Sequence, residues 1–345
     1  MEKYTQEIES YYTESLRDYE IVWQLKSSMA LHYGYWDENV NTHRQALWNM
    51  NYQVAKNAQI KKSDVVLDAG CDVGGTSFFL ANNIGCKVEG ISLSEGHIKE
   101  ALKYKENNDS NNLISFSCQN YCYTNFADNS FDVIFCLESL CNSDDKSAFL
   151  KEAYRLLKPN GRLLISDYFV EKTDKKNQIK LLDKWAKSWV IPHFINEEDL
   201  LKEIKNIGFK NFFLKDLSKY VYPSIKLMHR SYYPGIFISV ISNFFGYRTN
   251  KQVENSKSGR YQYLAYKNKN WKYKHLLVFK NPEDNYSSFE DFAKEEYSFK
   301  YNIDEESFKK RFPILSKKGF SARNILKRIM HYYLETEIKN PDKKF

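Results

Sequence analysis

The sequence predicts an α/β fold in which a mostly parallel sheet is covered by helices, with an aromatic helical insertion and a polar tail added. Three observations carry this. From residue 64, short apolar runs alternate with stretches of helical periodicity, the pattern of buried parallel strands joined by crossover helices. The chain, at 345 residues, is long enough for a full core, read as one large domain with additions. Its 42% hydrophobic and 28% charged content is that of an ordinary soluble globule.

The elements follow in order. VVLDAG (65–70) reads as a buried strand, and GGTSFFLANNIG (74–85) as a helix closed by Gly85. CKVEGIS (86–92) is the next strand, followed by a helix that the Ser94 hydroxyl can cap. LISFSC (113–118) and FDVIFCLES (131–139) supply two more strands. An amphipathic helix over 143–157 places Asp144 and Asp145 in its first turn, where the dipole favours them. KPNG (158–161) ends it, and RLLISDYF (162–169) is the fifth strand. Beyond come a Trp-bearing helical stretch (181–194), a helix capped by Asn196, and FFLKDL as a strand. Residues 220–270 read as helical, aromatic and basic, and HLLVFKN (275–281) as a last, antiparallel strand. Boundaries are expected at 1–60, 61–282 and 283–345.

Composition narrows the class. The acidic, polar start is no secretory signal, and the apolar run from Tyr232 to Tyr247 is too short to span a bilayer. All six cysteines fall between Cys71 and Cys141, with no CxxC pair and no histidine at ligand spacing. They read as buried free thiols in a cytoplasmic protein, with no metal site expected. A net charge of +7 permits an anionic partner without requiring one. The 26 Tyr and 23 Phe fit either an aromatic pocket or a Lys- and Asn-rich base composition.

The chemistry lies in LDAGCDVGGTSF (67–78), a strand ending near Asp68, a glycine turn, then a helix. Such a turn sits at the carboxyl end of its strand, where open α/β sheets bind ligands. Its glycines admit close backbone approach, and the helix N-terminus attracts negative charge. The spacing is neither GxGxxG nor a P-loop. Asp72 occupies the place of a middle glycine; Asp tolerates positive φ, so the turn can form at a cost of ~1 kcal/mol.

Together with VEGISLS (88–94), NYCYTNFADNSFDVIFCLESLCN (120–142) and EAYRLLKPNGRLLISDYF (152–169), this turn resembles the class I S-adenosylmethionine-dependent methyltransferases. Within them it is most similar to the tocopherol, sterol and cyclopropane-fatty-acid branch, over about residues 28–215. The resemblance implies a Rossmann-like, seven-stranded, mostly parallel sheet with helices on both faces, and S-adenosylmethionine as cofactor. It implies that Asp68, Gly70 and Gly74 hold the amino-acid end of the cofactor, with Asp72 among them, able to pair with its ammonium or repel its carboxylate. Ser92 and Leu93 fall at the ribose position, and Asn120 and Tyr121 at the adenine position; Ser92 and Asn120 are otherwise turn residues.

In the same branch a Glu on strand four lies near the donor and acceptor, so Glu138 is the candidate catalytic group, the alternative being a cap on the next helix. Asn142 stands where relatives carry His, which leaves a second base in doubt. ALHYGYWDE (30–38) resembles the segment that folds over the cofactor, making 1–60 an N-terminal helical cap. Tyr33, Tyr35 and Trp36 then offer aromatic faces to a sulfonium, worth about 0.5–2 kcal/mol, or else belong to the core. His32 reads as a polar cap to that segment.

The insertion at 220–270 is either a lid over a lipophilic acceptor or a helical addition with its own core. The expected acceptor is a small hydrophobic molecule: terpenoid, prenylated, sterol-like or polyketide. KKRFPILSKKGFSARNILKR (309–328) has eight basic residues and no acid. It reads as a solvated helix face, a peripheral contact with anionic lipid, or an RNA contact. Two rival readings stand beside this one. A nucleic-acid methyltransferase lacks a recognisable RNA-binding module and an Asn-Pro-Pro-Tyr signature, so nucleic acid is not the expected partner. A catalytically degenerate binding or scaffold protein is motivated by Asp72, Asn120 and Asn142.

Overall fold

Alternate residues of the apolar runs face opposite sides of one sheet, and each side builds a core. The computed structural model describes residues 8–12, 14–15, 25–108, 112–283 and 286–293. The 309–328 segment, read as a solvated helix face, a lipid contact or an RNA contact, lies outside the described residues. The strands are β1 (Val65–Ala69), β2 (Lys87–Ser92), β3 (Ile114–Cys118), β4 (Phe131–Leu137), β5 (Leu157–Val170), β6 (Ile195–Asn196), β7 (Lys210–Asp216) and β8 (Trp271–Phe279). Their order is β3-β2-β1-β4-β5-β8-β7, with the two-residue β6 on β5. β8 is antiparallel to both neighbours, while the other pairs are parallel. The sheet is thus the expected seven strands plus a short eighth.

Period-two alternation sends Val66, Val133, Phe135 and Leu164 into one core and Leu67, Ala69, Ile134, Cys136 and Ile165 into the other. Burying each large apolar side chain contributes about 1.5–3 kcal/mol. The first core is covered by helices α2 (His43–Asn57), α3 (Gly75–Asn83) and α6 (Lys176–Ser188), and the second by α5 (Lys146–Leu156) and α7 (Glu197–Ile207). A short α1 (Leu25–Ser28) precedes α2, and α4 (Glu95–Asn108) follows β2.

Caps fall mainly where the sequence places them. Ser94 Oγ accepts from His97 N–H at 3.2 Å, Asn196 Oδ1 accepts from Asp199 N–H at 3.3 Å, and Gly85 takes φ +81°. Three details differ. Asp145 is the N-cap of α5, its Oδ1 accepting from Ala148 N–H at 2.8 Å, and Asp144 precedes the helix; a short carboxylate satisfies an orphan N–H better from that position than from inside the first turn. KPNG lies within β5 as an irregularity, the register passing from Phe131↔Leu157 to Val133↔Arg162. Asn160 N–H donates to the Lys280 carbonyl at 2.9 Å and Lys280 N–H to the Gly161 carbonyl at 2.8 Å, so the bulge stays paired to the end of β8. Cys118 is exposed, the other five free thiols being buried.

Helices α8 (Ser218–Phe244) and α9 (Asn250–Lys267) fill the interval between β7 and β8, and a short α10 (Phe289–Phe292) follows. α9 packs on both α8 and α6. Small residues let α8 and α9 approach: a Cβ on Gly259 would meet the Met228 carbonyl at 2.7 Å, and Ser239 Oγ lies 2.9 Å from Ser256 Oγ. No helix among the described residues is long and apolar enough to cross a membrane.

Gly75, the first residue of α3, touches the N-terminal segment so closely that an added Cβ would lie 1.9 Å from the Met29 carbonyl oxygen. Gly235 in α8 has nothing within 4 Å of such a Cβ. Gly75→Ala is therefore expected to lower unfolding free energy by about 1–3 kcal/mol, and Gly235→Ala to raise it by about 0.5–1 kcal/mol. Urea unfolding of the two variants checks the pair; equal midpoints contradict the packing described.

Candidate active site

The turn after β1 is built on left-handed residues. Gly70 takes φ +99°, Asp72 +49° and Gly74 +86°. The amides of Gly70 and Cys71 both donate to the Ile91 carbonyl at 2.9 Å, and Gly74 N–H to the Cys71 carbonyl at 2.7 Å. Asp72 thus occupies the conformation its position requires. Gly70 and Gly74 are also held by close neighbours: added Cβ atoms would lie 2.4 Å from Ser139 Cβ and 2.4 Å from Phe116 Cζ.

The turn pairs two opposite features. Asp68 is buried and its Oδ2 accepts from Ser77 Oγ at 2.7 Å. Desolvation pushes its carboxyl up to about 7 against that hydrogen bond, and the Asp72 charge pushes the same way as burial. Among the described residues no cation offsets it. The N-cap of α3 is Gly74, and among the described residues no side chain caps its first-turn amides. A buried carboxylate lacking a cation beside a helix N-terminus lacking an anion fits the zwitterionic amino-acid end of S-adenosylmethionine. Asp72 turns toward α4, its Oδ1 3.5 Å from Nδ1 of the buried His97.

The strand-end candidates make turn contacts. Ser92 Oγ accepts from Ser94 N–H at 3.2 Å, and Asn120 Oδ1 from Cys122 N–H at 2.9 Å. The Leu93 carbonyl accepts from Cys118 Sγ at 3.5 Å. Tyr121 donates its hydroxyl to the Ser139 carbonyl at 3.0 Å and packs edge-on against Phe149. The oxygens of Ser92 and Asn120 keep a second lone pair each.

Glu138 follows β4 at φ +54°, a strained position for a non-glycine residue. Its Oε1 accepts from Tyr33 N–H at 2.6 Å and Tyr273 OH at 2.8 Å, and its Oε2 from Tyr168 OH. Burial pushes its carboxyl up to about 8, while these three donors pull the other way. Glu138 caps no helix; the adjacent 3₁₀ turn is held instead by Asp167, whose Oδ2 accepts from Cys141 N–H at 2.9 Å. Asp167 is fully buried and its carboxyl is pushed up to about 6 by desolvation.

A cavity of about 40 Å³ connects these parts, lined by Tyr12, Leu31, Asp72, Glu138, Tyr168 and Trp189 among others. Tyr12 closes it from above: its hydroxyl accepts from Asn142 Nδ2 at 2.7 Å, and its ring lies edge-on to His97. A space of that size holds about one water.

The aromatic residues of the N-terminal segment lie elsewhere than the sulfonium reading expects. The Tyr33 ring does not line the cavity; it is buried against Tyr168, Trp271 and Tyr273, its hydroxyl donating to Gln262 Oε1, and only its amide reaches Glu138. Tyr35 stacks on Tyr220 at 4.2 Å, and Trp36 Nε1 donates to Ser224 Oγ at 2.9 Å, tying the segment to α8. His32 Nδ1 lies 3.0 Å from the Tyr33 carbonyl, a local cap as expected. Tyr168, Tyr273, Asp167 and Trp189 were not legible as site residues. Only the position of Asp167 and Tyr168 at a strand end gave any signal.

Comparison with known proteins agrees with this arrangement. A methyltransferase domain model matches residues 67–165. The O-methyltransferase resE of Aspergillus sclerotiorum is 26% identical over 202 residues, 58% of this chain and 76% of that protein. The sterol 24-C-methyltransferase of Saccharomyces cerevisiae is 25% identical over 227 residues, 63% of this chain and 56% of the yeast protein, so the match spans little over half of it. The fold of a cyclopropane synthase from Mycobacterium tuberculosis superposes with a TM-score of 0.67 over 80% of this chain and 98% of that one, at 14% identity. Glycine turn, sheet order and sequence similarity converge on an S-adenosylmethionine-dependent methyltransferase: residues 67–165 match the methyltransferase domain, and the chain is similar to sterol and tocopherol enzymes.

Proposed function

We propose that the chain methylates a small, hydrophobic acceptor of terpenoid, prenylated, sterol-like or polyketide type, with Glu138 as its catalytic group. The observation that carries this is Glu138 itself, a strained and enclosed carboxylate that shares one cavity with Asp72 of the glycine turn and with Leu31, Tyr168 and Trp189. Asp68, Gly70, Asp72 and Gly74 hold the amino-acid end of S-adenosylmethionine. Ser92, Leu93, Asn120 and Tyr121 border its nucleoside, and Tyr33 contributes through its amide contact with Glu138. When bound, the cofactor supplies an electrophilic methyl group for in-line displacement. Positioning and exclusion of water are then the protein's main tasks. Tyr12 and the 30–36 segment exclude solvent, and the ionised Glu138 orients the acceptor or takes its proton. The apolar and aromatic side of the cavity, Leu31, Tyr168 and Trp189, favours a lipophilic acceptor, a class that the yeast relative's sterol substrate exemplifies.

Two measurements test this. Asp68 is partly protonated near neutrality, and an ammonium beside it favours the carboxylate. Binding of S-adenosylhomocysteine at about pH 6–7 is therefore expected to release up to one proton. Calorimetry in buffers of different ionisation enthalpy reads that release, and Asp68→Asn removes it and weakens binding; no proton release from the unmodified chain contradicts the assignment.

Glu138 acquires charge only as pH rises toward about 8. With labelled donor and a host metabolite extract, turnover should climb with pH to a plateau above that value. Glu138→Gln should abolish the climb and lower turnover by roughly 10²-fold or more, with S-adenosylhomocysteine affinity within a few-fold. A flat profile, or labelled RNA as the sole product, overturns the proposal.

A further inference from the structure

Helix α8 carries a surface that the reaction does not use. Along its second half, Tyr233, Phe237, Val240, Ile241 and Phe244 follow the spacing of one helix face. They are exposed by 57, 65, 52, 42 and 83%. Phe245 and Tyr247 extend the patch past the helix end, at 64 and 55%. Over this half of the helix the buried positions are small: Ser231 and Ser239 face inward, and Ser239 meets Ser256 of α9, while the first half buries Val221 and Ile225. In the second half large apolar side chains therefore point outward and small polar ones inward, the reverse of a water-facing helix.

Charge singles out what covers this face. No acidic residue lies between Asp216 and Glu254, an interval that carries Lys219, Lys226, Arg230, Arg248 and Lys251. Lys219, Lys226 and Arg230 precede Tyr233 by fourteen, seven and three residues, which places them on the same face one to four turns before the apolar part. Arg248 and Lys251 follow it, the latter 3.6 Å from Glu14. A second copy laid on this face, parallel or antiparallel, sets basic flank against basic flank. A bilayer with anionic headgroups matches both features, because acyl chains accept the aromatic and aliphatic tip while headgroups meet the cations. α8 is not long and apolar enough to cross a membrane.

We propose that α8 is a peripheral membrane-docking element that seats Phe237, Phe244 and their neighbours in an anionic lipid interface. This surface is distinct from the 309–328 segment and does not depend on the identity of the acceptor.

Flotation of the full-length protein with vesicles tests it, using phosphatidylcholine alone or with about 30% phosphatidylglycerol. The protein should float with the anionic vesicles at low salt and bind neutral ones on the order of tenfold less. Phe237→Ser/Phe244→Ser and Lys226→Gln/Arg230→Gln should each cut the bound fraction on the order of tenfold, with unchanged near-ultraviolet circular dichroism. Their side chains are at least partly exposed, so folding is expected to survive. Three outcomes overturn the proposal. The unmodified protein fails to float. Both double variants float as it does, which moves lipid binding elsewhere in the chain. Or sedimentation shows a dimer that Phe237→Ser/Phe244→Ser dissolves, which makes the occupant a second copy.

Discussion

A carboxylate withdrawn from water must be met by hydrogen-bond donors, and at Glu138 they come from three distant parts of the chain. Tyr33 brings its amide from the N-terminal segment, Tyr168 its hydroxyl from β5, and Tyr273 its hydroxyl from β8. The group sits at the carboxyl end of β4, so this one side chain ties the sheet's catalytic edge to the segment that roofs it. Replacing any donor leaves the buried carboxyl one hydrogen bond short, and removing the carboxyl leaves three donors without this acceptor. Positive φ at Glu138 indicates that the surrounding structure holds the residue where its backbone alone would not go.

The glycine turn follows the same logic with the signs separated. Asp68 is a buried carboxyl that burial pushes up to about 7, and α3 has Gly74 as its N-cap with no side-chain cap among the described residues. The turn thus sets an acid that a cation would ionise beside amides that suit an anion. Asp72 adds a second negative charge without spoiling the turn, because its side chain leans toward His97 and its backbone takes the left-handed angle that Asp tolerates.

Period-two alternation and cap residues made most of the sheet legible, and Ser94, Asn196 and Gly85 act as their chemistry predicts. The KPNG bulge was hidden because turn residues look alike whether they end a strand or kink it; only the pairing of Lys280 with this loop distinguishes the two. Asp68, Gly70, Gly74 and Glu138 stand out in the sequence as candidates because local spacing and family resemblance mark them, and the structure places them at the strand ends of β1 and β4. Tyr168 and Tyr273 do not stand out, since one tyrosine among 26 gains a role only when a distant carboxylate arrives beside it. Tyr33, Tyr35 and Trp36 illustrate the converse. Their aromatic character suggested a cation, but α8, α9 and β8 enclose them, and the segment's link to the site is a backbone amide.

The central claim is that Glu138 fastens the 30–36 segment over the site. Amide hydrogen exchange at Tyr33, compared between the unmodified chain and Glu138→Ala, tests it most directly. The account predicts strong protection that collapses in the variant while β1 and β4 amides keep theirs. Unchanged protection of the Tyr33 amide in Glu138→Ala would contradict it.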